Sequence, residues 1–431
     1  MNEMVITGFL ILVLFAMLGS GVWIGLTLAG VAWIGMEIFS PRSAGDAMAV
    51  TIWGSASSWT LTALPLFIWM GEILFRTKLS ENLFKGLAPW VNALPGRLLH
   101  TNILGSTIFA AVSGSSAATC ATIGKMTIPE LTRRGYPAER VVGSLGGAST
   151  LGLLIPPSIV MIVYGVAAEV SIAKMFVAGV IPGVLIASLF SGYLIIWSLL
   201  NPEQIPEADA HLSFVDKLRA SSDLFPVVVL IGGVIGSIYT GVATATEAAA
   251  IGVVGSLLLS AYQKSLNWAN FRDALLGATR LYCMMALILA GAAFLTLSMG
   301  YIGLPRHLAE WVGSLGLSPG WLLVALALFF ILLGCFLDGI SMIVLTMGVL
   351  IPTVQAAGID LIWFGIFVVI VVEMAQITPP VGFNLFVLQG MTKREINWIA
   401  RVCLPYFLLM VLAVCLLWWF PGLVMWLPGN M

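Results

Sequence analysis

The sequence predicts an all-α polytopic membrane protein made of two inverted-topology repeats, with about ten transmembrane helices and two re-entrant helical hairpins. Three observations carry that expectation: an apolar composition, a set of prolines repeated at one offset, and an uneven distribution of basic residues. Of 431 residues, 60% are hydrophobic and 9% charged, against about 25% charged in a soluble domain. A water-soluble fold is excluded. The net charge is −1 with no basic or acidic block, so nothing suggests nucleic-acid binding, and the expected environment is membrane lipid.

A transmembrane helix needs about 20 apolar residues. Residues 4–39 exceed one span and are interrupted at Gly19-Ser20-Gly21, which predicts two helices. The first is expected to be retained, since no basic n-region or small-residue cleavage site precedes the break. Further spans are expected at 52–75, 142–168 and 175–200. The polar stretch 201–222 then divides the chain, giving a first repeat at 1–205, a linker at 206–222 and a second repeat at 223–431. In the second repeat, 224–261 reads as a pair broken near Gly241, followed by spans at 274–299, 362–390 and 402–427. Two apolar stretches, 100–131 and 320–355, are broken by Ser113-Gly114-Ser115-Ser116 and by Asp338-Gly339-Ile340-Ser341. Each half is short for a span, so both read as hairpins that enter and leave on one side. Amphipathic arms at 76–98 and 300–318, carrying Trp90 and Trp311, precede them.

The repeat needs no propensity argument. Pro129, Pro156, Pro157 and Pro182 fall on Pro352, Pro379, Pro380 and Pro405 at an offset of 223 residues, and Gly135 falls on Gly358. Each half holds five spans and one hairpin, and an odd number of spans inverts the second half, as in many secondary transporters. The basic residues test the count. With both termini on one face, Arg42, Lys174 and Arg306 share that face and the other 16 of the 19 Lys and Arg lie opposite. The basic face is the cytoplasmic one. The linker is then cytoplasmic and both termini periplasmic.

Each half also has a Pro-Pro pair inside a long apolar span. Two prolines in succession remove backbone donors and unwind the helix, and a cation or polar ligand can take up the freed carbonyls. A tip rich in hydroxyls that opens a half-helix offers N–H groups to anions and oxygens to sodium. The candidate sodium and substrate residues are therefore Ser113, Gly114, Ser115, Ser116, Thr119, Ser149, Thr150 and Pro156 in the first repeat. In the second they are Gly334, Asp338, Gly339, Ser341, Glu373, Gln376, Thr378 and Pro379. Buried acids are costly, so Asp338 and Glu373 read as site or gate residues. Glu247 reads as structural, closing a Thr-x-x-Glu capping box with Thr244. The five cysteines (Cys120, Cys283, Cys335, Cys403, Cys415) read as inert core residues, and His100, His211 and His307 form no cluster. No metal other than sodium, no cofactor and no catalytic constellation such as HExxH or a Cys–His pairing is expected.

At these motifs the sequence resembles the large, DctM-like membrane subunit of the tripartite ATP-independent periplasmic (TRAP) transporters, within the ion-transporter superfamily. The stretches that carry the resemblance are VSGSSAATCATIG (112–124), MTIPELTRRGYP (126–137), LLIPPSIVMIVYGV (153–166), TGVATATEAAAIGV (240–253) and TPPVGFNLFVLQGMT (378–392). It covers essentially the whole chain. The resemblance implies sodium-coupled uptake of an organic acid, such as a C4-dicarboxylate, sialic acid or sugar acid, across a bacterial inner membrane. It also implies a periplasmic substrate-binding protein and a small membrane subunit as partners, and an elevator motion of the hairpin-bearing domain. A self-sufficient sodium/carboxylate symporter or antiporter of the same architecture is the alternative.

Overall fold

The computed structural model describes residues 3–77, 79–207, 213–222, 224–314, 318–334, 337–380 and 382–431. These are almost entirely helical, with no strand among them. α1 (Glu3–Gly19) and α2 (Ile24–Phe39) part at the expected glycine-rich break. α3 (Ala44–Ala56) and α4 (Ala63–Phe75) form one apolar run bent by 53° at Ser57-Ser58, the second part opening with a 3-10 turn at Trp59–Thr62. After the arm α5 (Leu79–Val91) come the first hairpin helices, α6 (His100–Ser113) and α7 (Ser116–Arg133). The first broken span follows as α8 (Ala138–Ser149) and α9 (Ile159–Ala167), and α10 (Ile172–Leu200) leads to the linker.

The second half opens with α11 (Phe214–Ala220) in the linker, α12 (Phe225–Tyr239), α13 (Ala245–Tyr262) and α14 (Trp268–Ile302). Its arm is α15 (Leu304–Ser314), and its hairpin helices are α16 (Pro319–Leu333) and α17 (Gly339–Ala356). The second broken span is α18 (Leu361–Gln376) with α19 (Phe383–Thr392), before α20 (Ile396–Trp419) and α21 (Gly422–Gly429). The sequence joined these last two, but the chain turns at Phe420-Pro421 because Pro421 cannot continue the helix.

Among the described residues, five helices are long and apolar enough to cross a membrane (α10, α13, α14, α17 and α20), or seven if the bent pairs α3–α4 and α11–α12 each count once. The expected ten spans therefore rest on joining helices that the chain breaks, such as α8 with α9. α17 meets the span criterion alone, although the sequence reads it as half of a hairpin.

Features fall at matching places in the two halves. Pro129 and Pro352 lie inside α7 and α17, and Pro182 and Pro405 inside α10 and α20. Gly135 and Gly358 leave α7 and α17 with φ of +87° and +72°, a conformation that glycine adopts without a Cβ penalty. Both Pro-Pro bonds, Pro156–Pro157 and Pro379–Pro380, are cis. In the first half α6 and α7 lie on one another and on α8; in the second, α16 and α17 both lie on α18.

The remaining helices pack through small residues. α14 runs along α2, where a Cβ on Gly291 would sit 2.3 Å from the Gly25 carbonyl oxygen. Close backbone approach of this kind is how helices associate where lipid supplies no hydrophobic drive. Cys120 and Cys403 are buried, whereas Cys283 and Cys415 lie on the outer surface, so the core expectation holds for the first two only. Cys335 and His211 fall outside the described residues.

Candidate binding site at the two hairpin tips

The first tip is built locally before it is built in space. Gly114 ends α6 at φ +55° and returns its N–H to the Ala110 carbonyl. Ser115 then caps α7, its side chain accepting from the Ala118 N–H. Ser113 Oγ lies 2.8 Å from Thr119 Oγ1, and the Thr119 hydroxyl reaches the Ser115 carbonyl at 2.8 Å. These hydroxyls satisfy one another within the tip, which explains their density.

The tip sits on the first unwound stretch. After α8 the chain makes a 3-10 turn (Thr150–Leu153) and is not helical again until Ile159. Pro156 and Pro157 have no N–H, so the carbonyls four residues earlier lose their helical donors; the Leu153 carbonyl accepts from the Ser158 hydroxyl instead. Ser158 also caps α9, accepting from the Met161 N–H at 3.3 Å. Contact between tip and stretch is very close. A Cβ added to Gly152 would lie 2.6 Å from the Ser116 nitrogen, and one on Gly114 would lie 3.2 Å from the Pro157 oxygen. The Ser116 hydroxyl also lies 3.1 Å from the Ser149 carbonyl.

The second tip repeats the plan with different chemistry. Asp338 stands at the 223-residue offset from Ser115 and likewise caps its half-helix, but it is exposed rather than buried as the sequence predicts for an intramembrane acid. Its carboxylate accepts from the Ile340 N–H at 3.2 Å and from the Ser341 hydroxyl, next to the positive end of the α17 dipole. A Cβ on Gly334 would lie 2.3 Å from Ala375 Cβ, and one on Gly339 2.6 Å from Val372 Cγ1 and 3.4 Å from Leu153 Cδ1. The second tip thus touches α18 and the first unwound stretch together. Thr378 donates to the Met374 carbonyl at 2.7 Å, and Gln376 is buried beside it.

Glu373 joins the halves. It is fully buried, takes the Leu153 N–H at 2.9 Å on Oε1, and meets the Ser116 hydroxyl through Oε2. No ion pair to Glu373 or Asp338 occurs among the described residues. Of the sixteen residues expected from sequence, Ser113 to Ser116, Thr119, Ser149 and Pro156 gather around the first stretch, and Gly334, Asp338, Gly339, Ser341, Glu373, Gln376, Thr378 and Pro379 around α18 and the second. Thr150 is the exception. Its hydroxyl donates to Gly147 and lies 3.5 Å from Met410 Sδ, facing α20.

Two residues were missed. Ser158 follows the Pro-Pro pair directly, a helix-start signal, and Asn384 is buried with Nδ2 3.4 Å from Ser149 Oγ and no partner for Oδ1 among the described residues. A buried amide within an apolar segment is itself a signal. The site is a set of carbonyl and hydroxyl oxygens with the Asp338 carboxylate, which suits a hard cation, while the Glu373 oxygens are taken up by Leu153 N–H and the Ser116 hydroxyl. No group of three His, Cys, Asp or Glu that could hold a metal ion occurs among the described residues.

A sequence profile of the tripartite ATP-independent periplasmic transporter DctM component matches residues 11–423. The chain belongs to the DctM family. It is 31% identical to the C4-dicarboxylate TRAP transporter large permease protein DctM of Pseudomonas aeruginosa, over 91% of each chain. It is 32% identical to the ectoine/5-hydroxyectoine TRAP transporter large permease protein UehC of Ruegeria pomeroyi, over 98% of each. These relatives are transporter subunits, not enzymes. The crystal structure of the Alcanivorax borkumensis YdaH transporter shares the fold at a TM-score of 0.65, with 14% identity over 89% of this chain and 88% of that one.

A cavity of about 930 Å³ lies elsewhere in this DctM-family chain, between α3, α13 and α14 on one side and the α9–α10 turn and α17 on the other. Ser55, Ser58, Glu169, Thr244 and Thr296 are among its lining residues, and none of the tip residues above is. The tips carry the convergent geometry. The cavity marks the gap between two groups of helices.

Proposed function

We propose that this chain is the substrate-translocating large subunit of a sodium-coupled importer of an organic acid. A periplasmic binding protein delivers the substrate, and a small membrane subunit completes the complex. The observation that carries the reading is the duplicated pairing of a capped tip with a Pro-Pro-unwound stretch at mid-span, since irregular backbone at membrane depth is tolerated where it is buried or lines a site. Sodium binds once in each repeat, at Ser113–Ser116 with the stretch before Pro156 and at Gly334–Ser341 with Gln376–Pro379. The two repeats are inverted, both termini are periplasmic, and the tips with their broken spans move as a body. The names of the relatives favour small anionic or zwitterionic solutes.

Uptake into proteoliposomes holding the chain with its partner subunits tests the proposal. An inward sodium gradient should drive accumulation. Ser115→Ala or Thr378→Ala should raise the sodium concentration for half-maximal uptake without preventing expression, because each removes one hydroxyl beside carbonyls that remain. Uptake indifferent to sodium in the unmodified protein sinks the coupling, and full activity without the small subunit would favour the self-sufficient symporter.

A further inference from the structure

We propose that Glu373 is a positioning residue through which the second repeat holds the first-repeat site in its binding geometry, without being an ion ligand itself. This rests on the sodium-coupled reading above. Glu373 sits in α18, where every residue from Trp363 to Gln376 is buried. Both carboxyl oxygens face first-repeat atoms: Oε1 lies 2.9 Å from the Leu153 nitrogen, and Oε2 meets the Ser116 hydroxyl. Ser116 is the first residue of α7 after the tip, and Leu153 closes the 3-10 turn of the unwound stretch. Because Ser116 Oγ also lies 3.1 Å from the Ser149 carbonyl, one side chain ties together the tip, the end of α8 and the unwound stretch. No lysine or arginine pairs with it among the described residues, so its link to the first repeat is hydrogen bonding alone.

Among the described residues, no first-repeat side chain ties the second tip to its unwound stretch in the same way. At the 223-residue offset Glu373 corresponds to Thr150, and Thr150 turns back on its own helix to the Gly147 carbonyl at 2.6 Å. The second tip meets the first repeat through apolar neighbours, with Gly339 close to Leu153 and Val160 side chains. Among the described residues, the first-repeat site therefore leans on a second-repeat side chain, and the second-repeat site has no matching polar tie to the first repeat.

Hydrogen-bond counting says what chemistry position 373 must provide. Ser116 has one hydroxyl proton and two oxygens within reach, Ser149 O and Glu373 Oε2. A group that accepts from Leu153 N–H and donates to Ser116 Oγ frees the serine proton for Ser149, and every polar atom is then paired. A glutamine amide does both. An alanine does neither, and it leaves the Leu153 N–H buried without a partner.

The test compares Glu373→Gln with Glu373→Ala by two readouts. In proteoliposomes with the partner subunits, Glu373→Gln should keep the unmodified sodium dependence. Glu373→Ala should raise the half-saturating sodium concentration about tenfold, the scale of one or two lost buried hydrogen bonds, with a smaller change in maximal rate. In purified protein lacking its native cysteines, maleimide labelling of Ala117→Cys should speed up with Glu373→Ala and not with Glu373→Gln, because the tip is released. Should Glu373→Ala not fold, Ser116→Ala removes the same link from the other side and should act in the same direction. If Glu373→Gln raises the sodium requirement as far as the alanine variant does, the carboxyl acts through its charge as a ligand and the proposal is overturned. Labelling that is the same in all variants overturns it too. Loss of sodium dependence in the unmodified protein would fell the coupling reading, while the labelling comparison would still decide whether Glu373 holds the tip.

Discussion

At Gly152 less than the space of a methyl group separates tip from unwound stretch: an added Cβ would meet the Ser116 nitrogen at 2.6 Å and the Ser115 carbonyl oxygen at 2.7 Å. Both are backbone atoms, which cannot swing aside as the end of a flexible side chain can. Gly152→Ala should therefore displace the tip, lowering thermal stability by about 1–3 kcal/mol, the usual cost of overpacking, and lowering sodium-dependent uptake with it. Gly192 in α10 has no atom within 4 Å of its missing Cβ, so Gly192→Ala is the control and should lower neither stability nor uptake, the helix preferring alanine to glycine. Equal behaviour of the two variants in a melting experiment would show that the tip does not rest where Gly152 places it. Nothing in the sequence near Gly152 announces this contact, since Ser116 is 36 residues away. The hydroxyls of the tip were legible because four of them fall within seven residues; the residue they press against was not.

Single elements were legible wherever local chemistry decides them. Thr244 and Glu247 form both halves of the expected capping box, with the Glu247 carboxylate on the Thr244 N–H at 2.8 Å and the Thr244 side chain accepting from the Glu247 N–H. Removing a threonine N-cap costs about 1 kcal/mol. Thr244→Ala should thus lower the melting temperature slightly and leave the sodium dependence of uptake unchanged, because the box is remote from both tips; a shifted sodium dependence would move α13 into the site. The Pro-Pro breaks were legible for the same reason, as proline acts on its own turn. The bend between α3 and α4 was not, because it falls at Ser57-Ser58, where no proline or glycine marks it and packing sets the angle. The Glu373–Ser116 link was also invisible, since residues 257 apart in sequence meet only once both repeats have folded.

For the whole molecule, the two groups of helices on either side of the cavity suggest what moves. α6 to α9 and α16 to α19 carry the tips and unwound stretches, and α1 to α4, α12 to α14 and their neighbours form the frame. The groups touch at several places, among them α4 on α6 and α17 on α14, and at the latter an ideal Cβ on Gly348 comes within 3.0 Å of Thr296 Cβ. On the proposed inverted arrangement the halves can exchange conformations, so that one site faces either side in turn without a continuous pore. A disulfide requires Cβ atoms about 3.5–4.5 Å apart, which Thr296→Cys with Gly348→Cys can reach by a small adjustment. Uptake by that double variant should be measured after complete oxidation and again after reduction. The cross-link should stop uptake and reduction should restore it; uptake at the unmodified rate through a fully cross-linked protein would show that the tip-bearing helices do not move against the frame.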